Sequence, residues 1–428
     1  MNIKIEHANS LPMPTWRWLK LNDTTISYDN IDKLTPLKPQ IINSTENIFL
    51  ASQKDIAFAN FPHITTGIGS DADNFVVNNA SNKNYFTIKA NTITQKPLIF
   101  IYDLTDNLDL IDDNYIYAQE NSQATIIIVY NSPYHNQGFH ASSTKIFAEK
   151  NAQIKIIQLQ TLGKDYFNFD DIGTLAQENA RISIQQIALG ANKNYLGANI
   201  DLLQNNAQLD FQTDYLTAKN QMLDMNYIVN ILGQKTKTNL TTNGILMHNA
   251  QKTHRATLDF KQGCKGSIGT EAENVLLLDE DIHNKSIPLI LCGEDDIEGN
   301  HSASIGEMDK EQLFYLQTRG LNERQIRQMQ IDSKLQLITT NLPEEFPLIN
   351  RRLSIMKTNF RQDFPILNDE ANPVVYLDSA ATTQKPLSVI KSLENYYTSQ
   401  NANPLRGLYK LSATATSEYE QARHSVAQ

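Results

Sequence analysis

The residues best suited to chemistry lie in one stretch, Gly293-Glu-Asp-Asp-Ile-Glu-Gly-Asn-His301. Glu294, Asp295, Asp296, Glu298 and His301 offer carboxylate oxygens and an imidazole nitrogen, donors that borderline metals such as iron accept. Gly299 gives the backbone beside His301 unusual freedom. No sulfur ligand follows at metal-site spacing, so an acidic turn with a hydrogen-bonded histidine accounts for the same residues. The two cysteines stand 28 residues apart. Cys264 sits among Gly263, Lys265 and Gly266, where a cation would lower a thiol pKa and make it reactive. Cys292 ends an apolar run and reads as a small buried hydrophobe. His248, Lys252, His254 and Arg255 form a mildly basic cluster, a candidate for ligand binding or sulfur transfer, with a solvated strand edge as the simpler reading. His135 and His140, five residues apart in a turn, have poor metal-ligand geometry. The chain has no P-loop, GxSxG, HExxH or CxxC motif.

A repeat positions these residues. Ala124-Thr-Ile-Ile-Ile128, Ala152-Gln-Ile-Lys-Ile156, Ala180-Arg-Ile-Ser-Ile184 and Ala207-Gln-Leu-Asp-Phe211 align at intervals of 28, 28 and 27 residues. Each follows a polar stretch and opens a period-2 alternation, the signature of a strand with one buried face. Pro97-Leu-Ile-Phe-Ile101 continues the series backwards. One such coil cannot bury its apolar face alone, so stacked coils must make the core, which predicts a parallel β-helix. The β pattern runs on through Thr257–Phe260, Asn274–Leu278 and Pro288–Leu291. After about residue 306 the period becomes helical. Asp309 with Gln312 and Asn322 with Gln325 read as capping boxes, and Gly320 closes the first helix. Pro343 starts a third helix, with Phe346, Ile349, Leu353 and Met356 on one face. The Pro-punctuated segment 11–21 carries both tryptophans and is expected to pack an N-terminal arm.

Composition agrees with a folded, non-membrane chain. There are 428 residues with a formal net charge of −10, against a nucleic-acid-binding surface. Two cysteines are too few for a disulfide framework, no signal peptide is visible, and no apolar run is long enough to cross a bilayer. The cytoplasm is the expected location.

Residues 286–329, above all GNHSASIG at 299–306 and LFYLQTRG at 313–320, closely resemble the C-terminal core of the SufB/SufD family of iron–sulfur cluster scaffold proteins. Residues 248–278 and LPMPTWRWLKL at 11–21 resemble the same family, so the resemblance covers about 10–360. It implies a mainly β fold: a right-handed parallel β-helix flanked by an N-terminal α/β arm and a C-terminal helical subdomain. The expected divisions are an arm at 1–90, the β-helix at 91–305, the helical subdomain at 306–360, a linker at 361–373 and a separate fragment at 374–428. Leu316 stands where the SufB branch carries a cysteine, so the chain resembles the SufD branch. The resemblance implies that His301 contributes to a transient cluster site shared with a SufB-like subunit, with Glu298 as an accompanying candidate metal ligand. It also implies that Leu313, Tyr315, Arg319, Gly320, Ile326 and Met329 belong to the region docking a SufC-like ATPase. Movement of that ATPase would pull on the helices and shift the adjoining loop bearing His301. Many relatives carry a cysteine where Gly299 stands here, which leaves this chain fewer ligands. A homodimer is the alternative assembly, and the implied role is a scaffold subunit, not an enzyme. The rival class is a β-helix carbohydrate-active enzyme, which would need carboxylates on an exposed sheet face.

The tail is similar to another family. Residues 374–423, with AATTQKP and NAN-x-x-RG, resemble the start of a SufS-type cysteine desulfurase, the expected sulfur donor. The matching segment precedes the parts that would carry the Schiff-base lysine and the catalytic cysteine, so no pyridoxal phosphate is expected here. Leu405 and Tyr409 replace that family's usual histidines.

Overall fold

A computed structural model of the chain describes every residue except 16, 33, 44–47, 52–60, 107, 341–363, 369–373, 375, 377, 379–380, 406 and 428. It divides into two units, Met1–Leu321 and Asn322–Gln428.

The first unit opens with an antiparallel pair, β1 (Ile3–Ala8) and β2 (Thr24–Tyr28). Two short strands, β3 (Gln40–Ile42) and β4 (Ile48–Ala51), and helix α1 (Ser70–Asn79) follow. Sixteen strands then wind a parallel β-solenoid of about eight turns. They begin β5 (Asn82–Ile88), β6 (Leu98–Asp103), β7 (Leu110–Ala118), β8 (Gln123–Asn131), β9 (Gln137–Ala148) and β10 (Gln153–Thr161). The middle coils are β11 (Asp165–Ala176), β12 (Arg181–Ala188), β13 (Lys193–Leu202), β14 (Gln208–Thr217), β15 (Met222–Ile231) and β16 (Lys237–Leu246). The last are β17 (Gln251–Phe260), β18 (Ser267–Leu277), β19 (His283–Cys292) and β20 (Ile297–Gly306). Even-numbered strands build one sheet and odd-numbered strands the other. β3 and β4 add antiparallel to β6 and β5 at the N-terminal end of each sheet.

The expected β-helix is present, with two corrections. Each coil holds two long strands, where the sequence pattern marked one. The first interval is also 30 residues, because Ala124 pairs with Ile154, whereas Ala152 and Ala180 precede matched residues as expected. A two-residue shift leaves the inward face unchanged.

The polar stretch before each aligned strand is a corner. Asn91, Asn121, Asn151, Asn179 and Asn206 all take left-handed conformations, with φ from 57° to 59°, a region asparagine tolerates better than other side-chain-bearing residues. Their side-chain amides stack: Asn121 donates to Asn91 at 3.2 Å, Asn151 to Asn121 at 2.8 Å, Asn179 to Asn151 at 3.0 Å and Asn206 to Asn179 at 3.1 Å. Inside, residues in register form columns. One runs Leu98, Ile126, Ile156, Ile184, Phe211, Leu240, then Glu271 and His301. Most of its length is apolar and buried, and it turns ionisable only in the last two coils.

The outer face of the odd-numbered sheet carries Ile111, Phe139, Phe167, Phe169 and Tyr195, which cluster with α1, β1 and Ile68 in a second core. Backbone around 64–68 lies directly on this sheet. A Cβ on Gly67 would fall 2.0 Å from the Ala198 nitrogen, so only glycine fits there. Lys145 ties α1 down, reaching Asp73 at 2.6 Å and Asp113 at 3.0 Å. Arg255 holds the N-terminal arm: it binds Asp224 at 2.7 Å and donates to the Leu21 and Asp23 carbonyls. Trp18, expected to pack this arm, is instead 78% exposed, and Trp16 lies outside the described residues.

Helix α2 (Lys310–Thr318) starts at Asp309, whose carboxylate accepts from the Glu311 amide at 3.1 Å. Gly320, at φ 87°, closes it. In the second unit, α3 (Glu323–Thr340) carries a complete capping box. The Asn322 amide reaches Gln325 Oε1 at 2.8 Å and the Gln325 amide reaches Asn322 Oδ1 at 2.9 Å. The third helix expected from Pro343 lies outside the described residues. In the tail, α4 (Leu387–Asn395) shows Leu387, Ile390 and Leu393 to solvent, and α5 (Lys410–Ala427) is tied to the preceding loop by Ser412 and Thr416.

Candidate functional site

The last coil of the solenoid gathers the ionisable residues. β20 was expected to be an acidic turn and a loop; it is a ten-residue strand that, among the described residues, pairs only with β18. Strand alternation therefore separates the two candidate metal ligands. His301 lies on the inward face, opposite Glu271, and Glu298 lies on the outward face, opposite Ile268. The two are not brought together, and Glu298 accepts from Asn300 Nδ2 at 2.9 Å.

His301 contacts Glu271 instead, Nδ1 against Oε2. Glu271 is buried, and the His301 side chain is 34% exposed. Two residues along the same face, Glu273 meets the Lys252 ammonium and lies 3.6 Å from His254 Nδ1. Lys252 also donates to Asn284 Oδ1 at 2.8 Å and Ser286 Oγ at 3.0 Å. His254 Nε2 lies 3.2 Å from Thr242 Oγ1. Burial alone would raise the Glu273 pKa, but the hydrogen bond and charge of His254, then Lys252, override it and hold the carboxyl at about 2. Lys252 is pushed below its ordinary value, because burial of the ammonium outweighs the attraction of Glu273.

The basic cluster anticipated at 248–255 is thus divided by its strand rather than solvated. Lys252 and His254 point into the last coils, Arg255 points outward under the N-terminal arm, and His248 occupies a turn at φ 51°. Cys264 is buried, and burial followed by Glu294 raises its thiol pKa, the opposite of an activated cysteine. Cys292, expected to be buried, is exposed. Glu294 accepts the Gly263 amide at 3.1 Å and so joins two turns. Asp295 and Asp296 lie in the turn before β20. His140 is buried far from this end, between Asp112 at 3.2 Å and Asn168 at 2.5 Å. Among the described residues, no three His, Cys, Asp or Glu side chains converge on a metal-sized point.

Of the expected docking residues, Leu313 is half-buried, Tyr315 is exposed with the Arg319 guanidinium 5.1 Å from its ring centre, and Gly320 ends α2. Met329 is exposed and Ile326 is buried. Phe314, not singled out by its sequence, is 68% exposed.

Residues 102–333 match the family model described as SUF system FeS cluster assembly, SufBD core domain. The chain belongs to the SufBD family. An iron–sulfur cluster assembly SufBD family protein of Staphylococcus epidermidis is 21% identical over 330 residues, 76% of this chain and 70% of that protein. One from Trieres chinensis is 26% identical over 240 residues, 54% and 49% of the two chains. Residues 375–428 match the class-V aminotransferase model. A probable cysteine desulfurase of Vibrio cholerae is 60% identical over 57 residues, which span 14% of that protein.

Membership gives the last coil a context, since the matched region ends just beyond it. Local spacing marks neither Glu271 nor Glu273, but the coil period is a signal for Glu271, which stands 30 residues before His301 and pairs with it. The imidazole edge not engaged by Glu271 has no hydrogen-bond partner among the described residues, and such a nitrogen can donate to a borderline metal.

Proposed function

We propose that this chain is the SufD-like subunit of an iron–sulfur assembly scaffold, working in the cytoplasm with a SufB-like and a SufC-like subunit. His301 would supply one side of a cluster site completed by the SufB-like chain. The observation that carries this reading is the place of His301. It ends an inward column, on the last and exposed strand of its sheet, with one ring nitrogen unengaged among the described residues. A single imidazole cannot hold a cluster, so the remaining ligands would come from the partner lying along β20, whose free edge groups can pair with another strand. Glu298, facing the other way, would lie outside that site.

The exposed Phe314, Tyr315 and Met329 support assigning α2 and α3 to the SufC-like ATPase. Nucleotide-driven movement there would be felt at β20, three residues before α2 begins. Sulfur would arrive from a cysteine desulfurase, and the chain itself would act as scaffold. Co-expression with SufB and SufC homologues tests the reading. Both subunits should be retained, deletion of 309–360 should release the ATPase, and His301→Ala should abolish cluster formation under anaerobic reconstitution. Intact assembly by His301→Ala would refute the assigned role.

A further inference from the structure

Glu271 has no assigned role, and its geometry points to one. It occupies the position immediately before His301 in the inward column, paired with it across β18 and β20. Its side chain is 4% exposed, and its Oε2 contacts His301 Nδ1. We infer that Glu271 is the positioning residue of this site: it keeps the hydrogen of His301 on Nδ1 and leaves Nε2 bare. This rests on the proposed role of His301 as a ligand.

The chemistry follows from the contact of the carboxylate with one ring nitrogen. A carboxylate only accepts, so the ring nitrogen facing it must carry the hydrogen, and a neutral imidazole then has its lone pair at the other nitrogen. A free histidine side chain in water prefers the opposite arrangement, with hydrogen on Nε2, which would block the exposed edge. A carboxylate behind a ligating histidine also fixes the ring plane and raises its basicity as a donor. Here the support is rigid, because Glu271 sits mid-strand on β18, between β16 and β20, with its side chain held out of solvent. The Lys252 ammonium adds an electrostatic contact to Glu271 from the facing sheet. The outward alternative, Glu298, has neither burial nor a path to the ring.

The test uses the full chain labelled with nitrogen-15 histidine, observed by long-range proton–nitrogen correlation at mildly alkaline pH. The His301 signals are identified by their loss in His301→Gln. The wild-type ring should show a protonated Nδ1 and a bare Nε2. Glu271→Gln, which still presents an acceptor oxygen, should keep that tautomer, and Glu271→Leu should move the hydrogen to Nε2. A wild-type ring protonated at Nε2, or a Glu271→Leu ring unchanged from wild type, would overturn the inference. The wild-type spectrum alone decides the tautomer, so a variant that fails to fold does not shelter the idea. In the complex reconstituted with iron and sulfide, Glu271→Leu should retain iron about 10–100-fold less tightly, with Glu271→Gln intermediate. Wild-type retention by Glu271→Leu would count against positioning. Unchanged assembly in His301→Ala would remove the ligand role while leaving the tautomer result standing, so the two failures read differently.

Discussion

Replacing Glu273 by glutamine removes one charge from the most buried ion pair of the last coils. In the native chain Glu273 is 1% exposed and meets the Lys252 ammonium, itself fully buried. The depression of its carboxyl from an ordinary 4.5 to about 2, due to His254 first and then Lys252, corresponds to about 3 kcal/mol of stability shared between the two partners. The sign is that of a depressed acid. The contribution is complete above about pH 4.5 and is lost as pH falls towards 2. Glu273→Gln leaves the Lys252 ammonium hydrogen-bonded only to neutral acceptors, Asn284, Ser286 and the Lys285 carbonyl, with the Glu271 carboxylate as its remaining electrostatic partner. Stranding a buried charge costs about 3–5 kcal/mol, which agrees with the linkage figure. Urea unfolding of the chain, followed by circular dichroism, should therefore show the variant about 3 kcal/mol less stable at pH 7. The gap should narrow at pH 3. It should also narrow as pH rises towards 10, because Lys252, held below its ordinary value by burial, can shed its proton in the fold. The double variant Lys252→Met, Glu273→Leu should recover most of the loss. A Glu273→Gln protein within about 0.5 kcal/mol of wild type at pH 7 would refute the buried ion pair.

The amide ladder makes a second prediction. Asn151→Gly should cost about 1–2 kcal/mol through two lost side-chain hydrogen bonds, and Asn151→Ala about 1 kcal/mol more, because alanine resists the left-handed corner. Equal melting temperatures for the two variants would show that the corner is not strained. Third, Ellman's reagent should label Cys292 rapidly and Cys264 only after denaturant is added, with mass mapping to assign each site; fast labelling of Cys264 in the native chain would contradict its burial.

How far the residue pattern reaches can be read from particular strands. The strands β10, β12 and β14 were legible because inward isoleucine, leucine and phenylalanine alternate with polar outward residues. Their counterparts β9 and β11 were not. Both faces are buried there, Phe139 and Phe169 lying under α1 while His140, Ser142 and Asp170 point into the solenoid. A strand covered on both sides, with its polar residues inside, shows no amphipathic period. The site was half legible. His301 stood out by its neighbours, but the run of acids around it drew attention along the chain, while the partner that touches it lies one coil back. Local spacing could not reveal that Glu298 and His301 face apart until the segment was known to be a strand. The capping box of α3 was readable because such motifs are purely local, whereas at α2 Asp309 caps through the Glu311 amide and not with Gln312.

The two ends of the solenoid are unequal. At the first coil the described edge strands β3 and β4 are three and four residues long and run antiparallel to their neighbours. At the last coil β19 and β20 each present ten residues with one edge that no strand pairs among the described residues. Short edge strands are poor templates for further pairing, and long ones are good templates. Such a solenoid would offer a neighbouring strand one adhesive end and one blunt end. Association through these strands, where it occurs, would therefore stop at a pair, whereas a solenoid adhesive at both ends would grow into a fibre.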